Sequence, residues 1–525
     1  MTAALADSPV ITTAPAAAKP RSSDLMHALA EIEATVPVGE WTVAGNAIWP
    51  LLRVRWFFAE WARQYGGSGG AASGGGRMRA LVRGAAVAAR ARSSDVAAND
   101  DPKARREVVF LSDGLSFARV GEHWVERFCD PLIRAAVRQG ASSALWTPQH
   151  LYRIPRATPS VFVQPTIDRA NIAGLVRSRF GASVATRLPG RERATAMLRA
   201  RGFDDGALSL ARIASDGCRL RAVAAVFERR LAAVQPRLAF VVSYYSLEAM
   251  AFVHACRRAG VATVDIQHGV QGDLHPAYAA WPRLPAGCKH ALVPDRFWVW
   301  SDWERGVVDS WAAGSGHAAV VGGNPWLDLW RGDGDWPGTR DALAAAAHLR
   351  ERASGRPIVL VTLQFGLGND EQIEPLRRLI ARAHDRLAFW VRLHPVMAAR
   401  REEVRAALGD VGAFELDAAS DLPLHALLQA CDVHVTHSSS TVIEAAQCAV
   451  PSLITSAYGA ELFTPIVDAG AAVVEIGDDD VIDAALERLL CRRAEAAAPP
   501  SQTDAALAAL LAVASRDRHP KRAAR

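Results

Sequence analysis

Eleven short apolar runs, each followed by a stretch with helical spacing, constrain the fold of this chain more than any other feature. The first six are EVVFLS (107–112), ALW (144–146), RLAFVVS (237–243), VATVDIQ (261–267), FWVWS (297–301) and AAVVGG (318–323). PIVLVTL (357–363), LAFWVRL (387–393), DVHVTH (432–437), PSLIT (451–455) and AAVVEI (471–476) follow. They are continuous rather than alternating, so each predicts a strand buried on both faces, and the intervening Ala-, Leu- and Arg-rich stretches predict the helices that cover it. The rhythm breaks at NPWLDLWRGDGDWPGTR (324–340) with its Gly, Pro and Asp. The expected architecture is therefore α/β: two doubly wound, Rossmann-like domains, 105–330 and 331–490, facing each other across a cleft. Ligands of such sheets bind beyond the carboxyl ends of the strands, so the residues there are the ones to read.

Flanking segments differ in kind. Residues 1–24 are rich in Ala, Thr and Pro and are expected to be disordered. Residues 25–65 carry VGEWTVAGNAIWPLLRVRWFFAEWARQYG, in which Trp49, Leu52, Trp56 and Phe57 have helical spacing, predicting an amphipathic helix from about Pro50. That helix either docks on the protein body or, through Arg53, Arg55 and Arg63, lies on an anionic membrane. GGSGGAASGGGRMR opens a flexible linker over 66–104, and 491–525 form a C-terminal helix and basic tail.

Composition narrows the function classes. A net charge of +5 over 525 residues suits anionic ligands or an anionic surface but is too diffuse for nucleic acid, and no nucleic-acid motif accompanies it. Seven scattered cysteines without a CxxC pair argue for a reducing compartment and against a zinc site. There is no secretory signal and no apolar window long enough to span a bilayer, so the expectation is a cytoplasmic protein, with contact to the inner membrane face left open.

At the strand ends of the second half, PIVLVTL runs into QFGLGND, placing Gln364 and Gly366 at the sheet edge, and LAFWVRL delivers Arg392 and His394 in RLHP. A guanidinium beside an imidazole suits a phosphate: one is a fixed cationic fork, the other a tunable donor. DVHVTHSSSTVIEAA then places His437 and the hydroxyl run Ser438, Ser439, Ser440 and Thr441 at a strand-to-helix junction, with Glu444 one turn into the helix. Such a run is either a helix cap or a phosphate cradle with Glu444 beside a ribose, and its convergence with RLHP favours the cradle. In the first half, VATVDIQHGV ends on Gln267, His268 and Gly269, and GDLHPAY adds Asp273 and His275. His268 is a candidate general base on an acceptor hydroxyl, with a structural or acceptor-binding role as the alternative. FLSDGLSFARVGEHWVERFCDPL adds Asp113 and Arg119 as cleft candidates.

The ordered set IQHG, PDRFWVWSDWE with VVGGNPW, RLHP and DVHVTHSSSTVIEAAQCAVPSLI resembles bacterial glycosyltransferases of the GT-B fold over about residues 107–490. It is similar to capsule and surface-polysaccharide synthesis proteins and to the CDP-glycerol glycerophosphotransferase group. The resemblance implies a nucleotide-sugar donor held by the C-terminal domain and a glycan or lipid-linked glycan acceptor held by the N-terminal one. It implies no cofactor, and metal independence, in keeping with the lack of a DxD-like motif at a strand end. His394 and Ser438 to Thr441 would contact phosphates and Glu444 the ribose, with Gln364, Gly366, Arg392 and His437 alongside. His268, with Asp113, would be catalytic, and Gln267, Arg119, Asp273 and His275 would face the acceptor. Thr436 and His437 stand where many wall-polymer enzymes have an acidic and an aromatic residue, a departure that weakens the likeness to the CDP-glycerol group specifically. The expected function is glycosyl transfer in capsule or lipopolysaccharide assembly. A CDP-polyol phosphotransferase, a nucleotide-sugar 2-epimerase and a non-catalytic assembly protein are the alternatives.

Overall fold

The computed structural model of the protein describes residues 21–65, 103–148, 155–180, 184–331, 336, 338–491 and 502–516. The expected linker therefore lies almost wholly outside the described residues. All eleven apolar runs are strands, and every pairing within the two large sheets is parallel.

In the first domain the strands are β1 (Val108–Leu111), the hairpin β2 (Phe117–Val120) and β3 (His123–Glu126), β4 (Ser143–Thr147), β5 (Ser160–Phe162), β6 (Leu238–Val242), β7 (Ala262–Ile266), β8 (Arg296–Val299) and β9 (Ala318–Val321). Seven of them form one sheet in the order β9-β8-β7-β6-β1-β4-β5, with the β2–β3 hairpin standing apart. The second domain contributes β10 (Ile358–Thr362), β11 (Ala388–Arg392), β12 (Phe414–Glu415), β13 (Val433–Thr436), β14 (Ser452–Ile454) and β15 (Ala472–Val474). Their order is β12-β11-β10-β13-β14-β15. Strand order reverses between β1 and β6 in one sheet and between β10 and β13 in the other, and each reversal opens a crevice at the carboxyl edge. Two edge strands, β5 of three residues and β12 of two, are not among the eleven apolar runs.

The helices that bear on the site are α1 (Ser22–Thr35), α2 (Trp49–Tyr65), α3 (Cys129–Arg138), α4 (Thr441–Gln447), α5 (Ala457–Leu462) and α6 (Thr503–Arg516). Helix α1 begins at Ser22, inside the segment 1–24 expected to be disordered, of which residues 1–20 lie outside the described residues. Helix α2 carries Pro50 in its first turn, where the missing N–H costs nothing. Its apolar residues Trp49, Leu52, Trp56 and Phe57 are buried in the core of the first domain. The arginines settle how it docks. Arg53 is fully buried, its Nε 2.9 Å from Glu33 Oε1, its Nη2 donating to the Ala279 and Ala280 carbonyls at 3.0 and 3.1 Å. Arg55 pairs with Asp216 and Arg63 with Glu60. With its apolar face covered and its cations matched, α2 is a docked helix, which replaces the membrane-surface reading of this segment.

Helix α6 returns to the first domain. Leu507, Leu510 and Leu511 join Val108, Phe110 and Leu132 in one core, and Arg138 of α3 donates to Asp504 at 2.8 Å. The same core takes in Val442, Ile443 and Phe463 of the second domain together with Ile266 and Trp300 of the first, so apolar packing runs across the junction behind the cleft. Among the described residues no helix is long and apolar enough to cross a membrane.

Candidate active site

The two carboxyl edges enclose a cavity of about 540 Å³. Its walls come from the ends of β1 (Asp113 to Ser116), β7 (His268), β10 (Thr362, Leu363), β11 (Arg392, His394) and β13 (Ser439 to Thr441, then Glu444), with Arg127 from the turn between β3 and α3.

Charge is distributed unevenly in it. Arg392 is held from behind: its Nη1 donates to the Ala419 and Leu422 carbonyls at 2.7 and 2.6 Å. Burial, with the nearby Arg127 charge adding to it, pushes its pKa down to about 10. Arg127 donates through Nε to the Ser116 carbonyl at 3.3 Å and lies 5.1 Å over the Phe128 ring. Among the described residues no carboxylate pairs with either guanidinium. His394 accepts from its own turn, Val396 N to Nδ1 at 3.3 Å, which fixes the proton on Nε2. Burial, then Arg127, holds its pKa below the ordinary value, so it is neutral at pH 7. Glu444 is buried, which raises its pKa, while Arg127 and Arg392 act in the opposite direction.

The hydroxyl run divides its labour. Ser439 stands one residue ahead of Ser440, the N-cap of α4, its Oγ accepting from Thr441 N at 3.2 Å and donating to Thr441 Oγ1 at 2.9 Å. The Val442 and Ile443 amides bond to the Ser439 and Ser440 carbonyls. The Ser439 hydroxyl is thus engaged at the start of the helix, and the amides of this turn are largely occupied by the turn itself. Ser440 and Thr441 line the cavity, and a methyl built on Gly269 of the first domain would lie 3.8 Å from Ser440 Oγ.

His268 stands on the opposite wall. Its Nε2 is 3.0 Å from the Tyr245 hydroxyl, and its Nδ1 is buried without a hydrogen-bond partner. Two residues before Tyr245, the chain leaves β6 through Ser243 in the left-handed region, at φ +56°, a costly conformation for a residue with a Cβ. Burial keeps the His268 pKa below the ordinary value, Arg127 acting with burial and Asp113 against it. Asp113 itself is committed to its loop: Oδ1 accepts from the Leu115 and Ser116 amides at 2.8 and 2.9 Å, and Oδ2 from Ser116 Oγ at 2.8 Å.

Several expected site residues lie elsewhere. Gln267 is fully buried, donating to the Gly269 carbonyl and Glu304 and accepting from Trp300 N, so it holds the β7 turn rather than facing an acceptor. Arg119 sits near the hairpin tip, donating to the Gly121 carbonyl, outside the cavity walls. Gln364 is bridged through its backbone by the Gln372 side chain at 2.8 and 2.9 Å, and neither it nor Gly366 lines the cavity. His437 turns into a separate recess of the second domain, and Ser438, 3.0 Å from His437 Nδ1, turns toward a second cavity that also contains Asp273 and His275. The residue that sequence reasoning missed is Arg127. It lies in the same quoted stretch as Arg119, and the signal was the hairpin turn at Gly121: folding β2 against β3 puts Arg119 opposite Trp124 near the tip and brings Arg127 back to Ser116 at the base. Among the described residues no cluster of His, Cys, Asp or Glu has the form of a metal site.

No family model matches this chain, and no curated protein matches it. Among solved structures it is similar to the UDP-GlcNAc 2-epimerase of Methanocaldococcus jannaschii, at 10% identity over 78% of this chain and 99% of that one, with a TM-score of 0.47. The S. aureus MnaA structure solved with UDP gives 14%, 77%, 94% and 0.45 for the same quantities. The calicheamicin glycosyltransferase CalG4 gives 14%, 79%, 95% and 0.39.

Proposed function

We propose that this protein transfers a sugar from a nucleotide-linked donor to a hydroxyl of a surface-glycan acceptor, with the reaction centred in the cavity between its two sheets. The observation that carries this reading is the pair of guanidiniums, Arg127 from one domain and Arg392 from the other, facing one cavity with Glu444 as their nearest counter-charge but, among the described residues, no carboxylate in an ion pair with either. Two like charges in a partly dry site repel, and a phosphate-bearing ligand removes that penalty. His394 Nε2–H, Ser440 and Thr441 supply neutral donors beside them, and Glu444 can accept from ribose hydroxyls.

In the reaction, the bond between the sugar's anomeric carbon and the phosphate oxygen breaks, and the acceptor oxygen takes its place on that carbon. The negative charge that develops on the leaving nucleotide falls to Arg127, Arg392 and His394. The acceptor's proton passes to His268, whose lowered pKa keeps it neutral and able to receive it. The Tyr245 hydroxyl, 3.0 Å from His268 Nε2, orients the imidazole and can share a proton with it. Asp113 then orders the loop under the donor and biases His268 through its charge rather than acting on substrate.

A 2-epimerase on the same architecture would need several acidic groups free in the cavity. Asp113 and Glu444 are the carboxylates that line it, and Asp113 is committed to its loop, which favours transfer. Capsule or lipopolysaccharide assembly is the setting that the sequence resemblance supports. The test is a thermal-shift series with CMP, CDP, UMP, UDP, GDP and ADP on the wild type and His394→Ala. A nucleotide at about 100 times its Kd adds roughly 2.7 kcal/mol. The expected result is a raised midpoint with one base, diminished in the variant. No shift with any nucleotide would refute the donor reading.

A further inference from the structure

A second cavity of about 540 Å³ adjoins the first, and Ser440 belongs to both walls. One side is built by the N-terminal extension, Phe58 and Trp61 of α2, with Trp303 of the first domain. The other is built by Tyr458 and Leu462 of α5 in the second domain. Trp61 and Tyr458 meet across the cleft with ring centroids 6.1 Å apart. Asp273, exposed, and Glu461, half-buried, stand among these rings.

We infer that this cavity is an acceptor subsite for an uncharged glycan of at least two sugar units, an inference that rests on the transferase reading above. Three observations converge on that class. Flat aromatic faces match the C–H face of a sugar ring, while carboxylates accept from its hydroxyl rim, and the cavity offers both. Asp273 and Glu461 repel a uronate or phosphate on the acceptor, and an alkyl chain gains nothing from them. The cavity also leads to the reacting group: Phe58 stacks on Tyr245 at 5.8 Å, and Tyr245 holds His268 Nε2. A sugar on the aromatic wall therefore presents its neighbour past Ser440 toward His268. The N-terminal extension accordingly supplies substrate contacts besides packing on the fold.

The test uses the full chain, with saturation-transfer NMR and tryptophan-fluorescence titration. Maltose, lactose and mannobiose are the neutral probes, digalacturonic acid the anionic one and 1-octanol the alkyl one. At least one neutral disaccharide should bind the wild type, digalacturonic acid and octanol should not, and Trp61→Ala or Tyr458→Ala should weaken the disaccharide about tenfold. Asp273→Asn, at an exposed position that leaves the fold intact, should weaken the neutral disaccharide and admit digalacturonic acid. Binding of octanol without any disaccharide, equal binding of digalacturonic acid and neutral sugars by the wild type, or unchanged disaccharide affinity in the variants would each overturn the inference. The nucleotide shift is scored separately in the same proteins. It should persist in Trp61→Ala, and its absence from the wild type would refute the donor reading while the disaccharide titrations still decide this one.

Discussion

Arg127→Met is the substitution that examines the site most directly. Methionine keeps much of the side chain's length and its contact with Phe128 while deleting the charge. On the donor reading Arg127 supplies one charge-assisted hydrogen bond to the nucleotide's phosphates, worth about 1.5–3 kcal/mol, so affinity should fall about 10- to 160-fold. The structure supplies a second, ligand-free readout. Arg127 depresses the pKa of Arg392 and of His394, in each case as the lesser cause after burial, and it opposes the rise at Glu444. Without it, the His394 titration should move up toward 6.5 and Glu444 should move further up. Isothermal titration with the nucleotide that gives the largest thermal shift measures the first effect, and imidazole NMR across pH 4–8 the second. An Arg127→Met protein that binds nucleotide as the wild type does, with an unmoved His394 titration, would show that Arg127 does not face the donor site.

Other expectations follow from the same geometry. His268→Ala should lower turnover by the 10²- to 10⁴-fold typical of a lost general base while leaving the nucleotide-induced shift intact, whereas Tyr245→Phe should lower it less and alter the pH profile. In the wild type the rate should fall as pH drops through the His268 pKa, which lies below the ordinary 6.5; a profile flat down to pH 4 would remove the base role. Arg53→Met strands Glu33, whose side chain is 2% exposed, and should cost about 3–5 kcal/mol in urea unfolding, with Arg53→Met/Glu33→Gln recovering much of the loss. His434, between Thr362 Oγ1 at 2.8 Å and Ser452 Oγ at 3.0 Å, is pushed down to about 3 by burial. The unfolded chain therefore takes up its proton first, so this contribution is complete above about pH 6.5 and is lost as pH falls toward 3. Between pH 7 and pH 5 it amounts to about 2 kcal/mol, and His434→Gln should flatten the acid limb by that much.

How much of this was legible in the sequence depended on the range of the interaction concerned. A strand buried on both faces writes itself as a continuous apolar run, because each residue independently meets a dry environment, and so β1, β6, β7, β10, β11 and β13 could be read directly. Their carboxyl ends came with them, which is why His268, Arg392, His394, Ser440, Thr441 and Glu444 were found and do meet in one cavity. What the pattern does not contain is the direction of a side chain once the strand has ended. Gln267 and His268 are neighbours, yet one turns inward to Glu304 and the other lines the cavity. Ser438 and Ser440 are two apart, yet Ser440 alone borders both cavities. The docking of α2 depended on partners distant in sequence: Arg53 reads as a surface cation until Ala279 and Ala280 are placed on it, 226 and 227 residues away. Arg127 belongs with these cases. Its importance arises from the hairpin that brings it back to Ser116, which the turn at Gly121 signals, and from a second domain that sets Arg392 opposite it, which leaves no trace in the residues beside it. Arg127→Met therefore tests the arrangement of the two domains as well as a side chain, because a cleft that held them further apart would leave His394 unaware of the change.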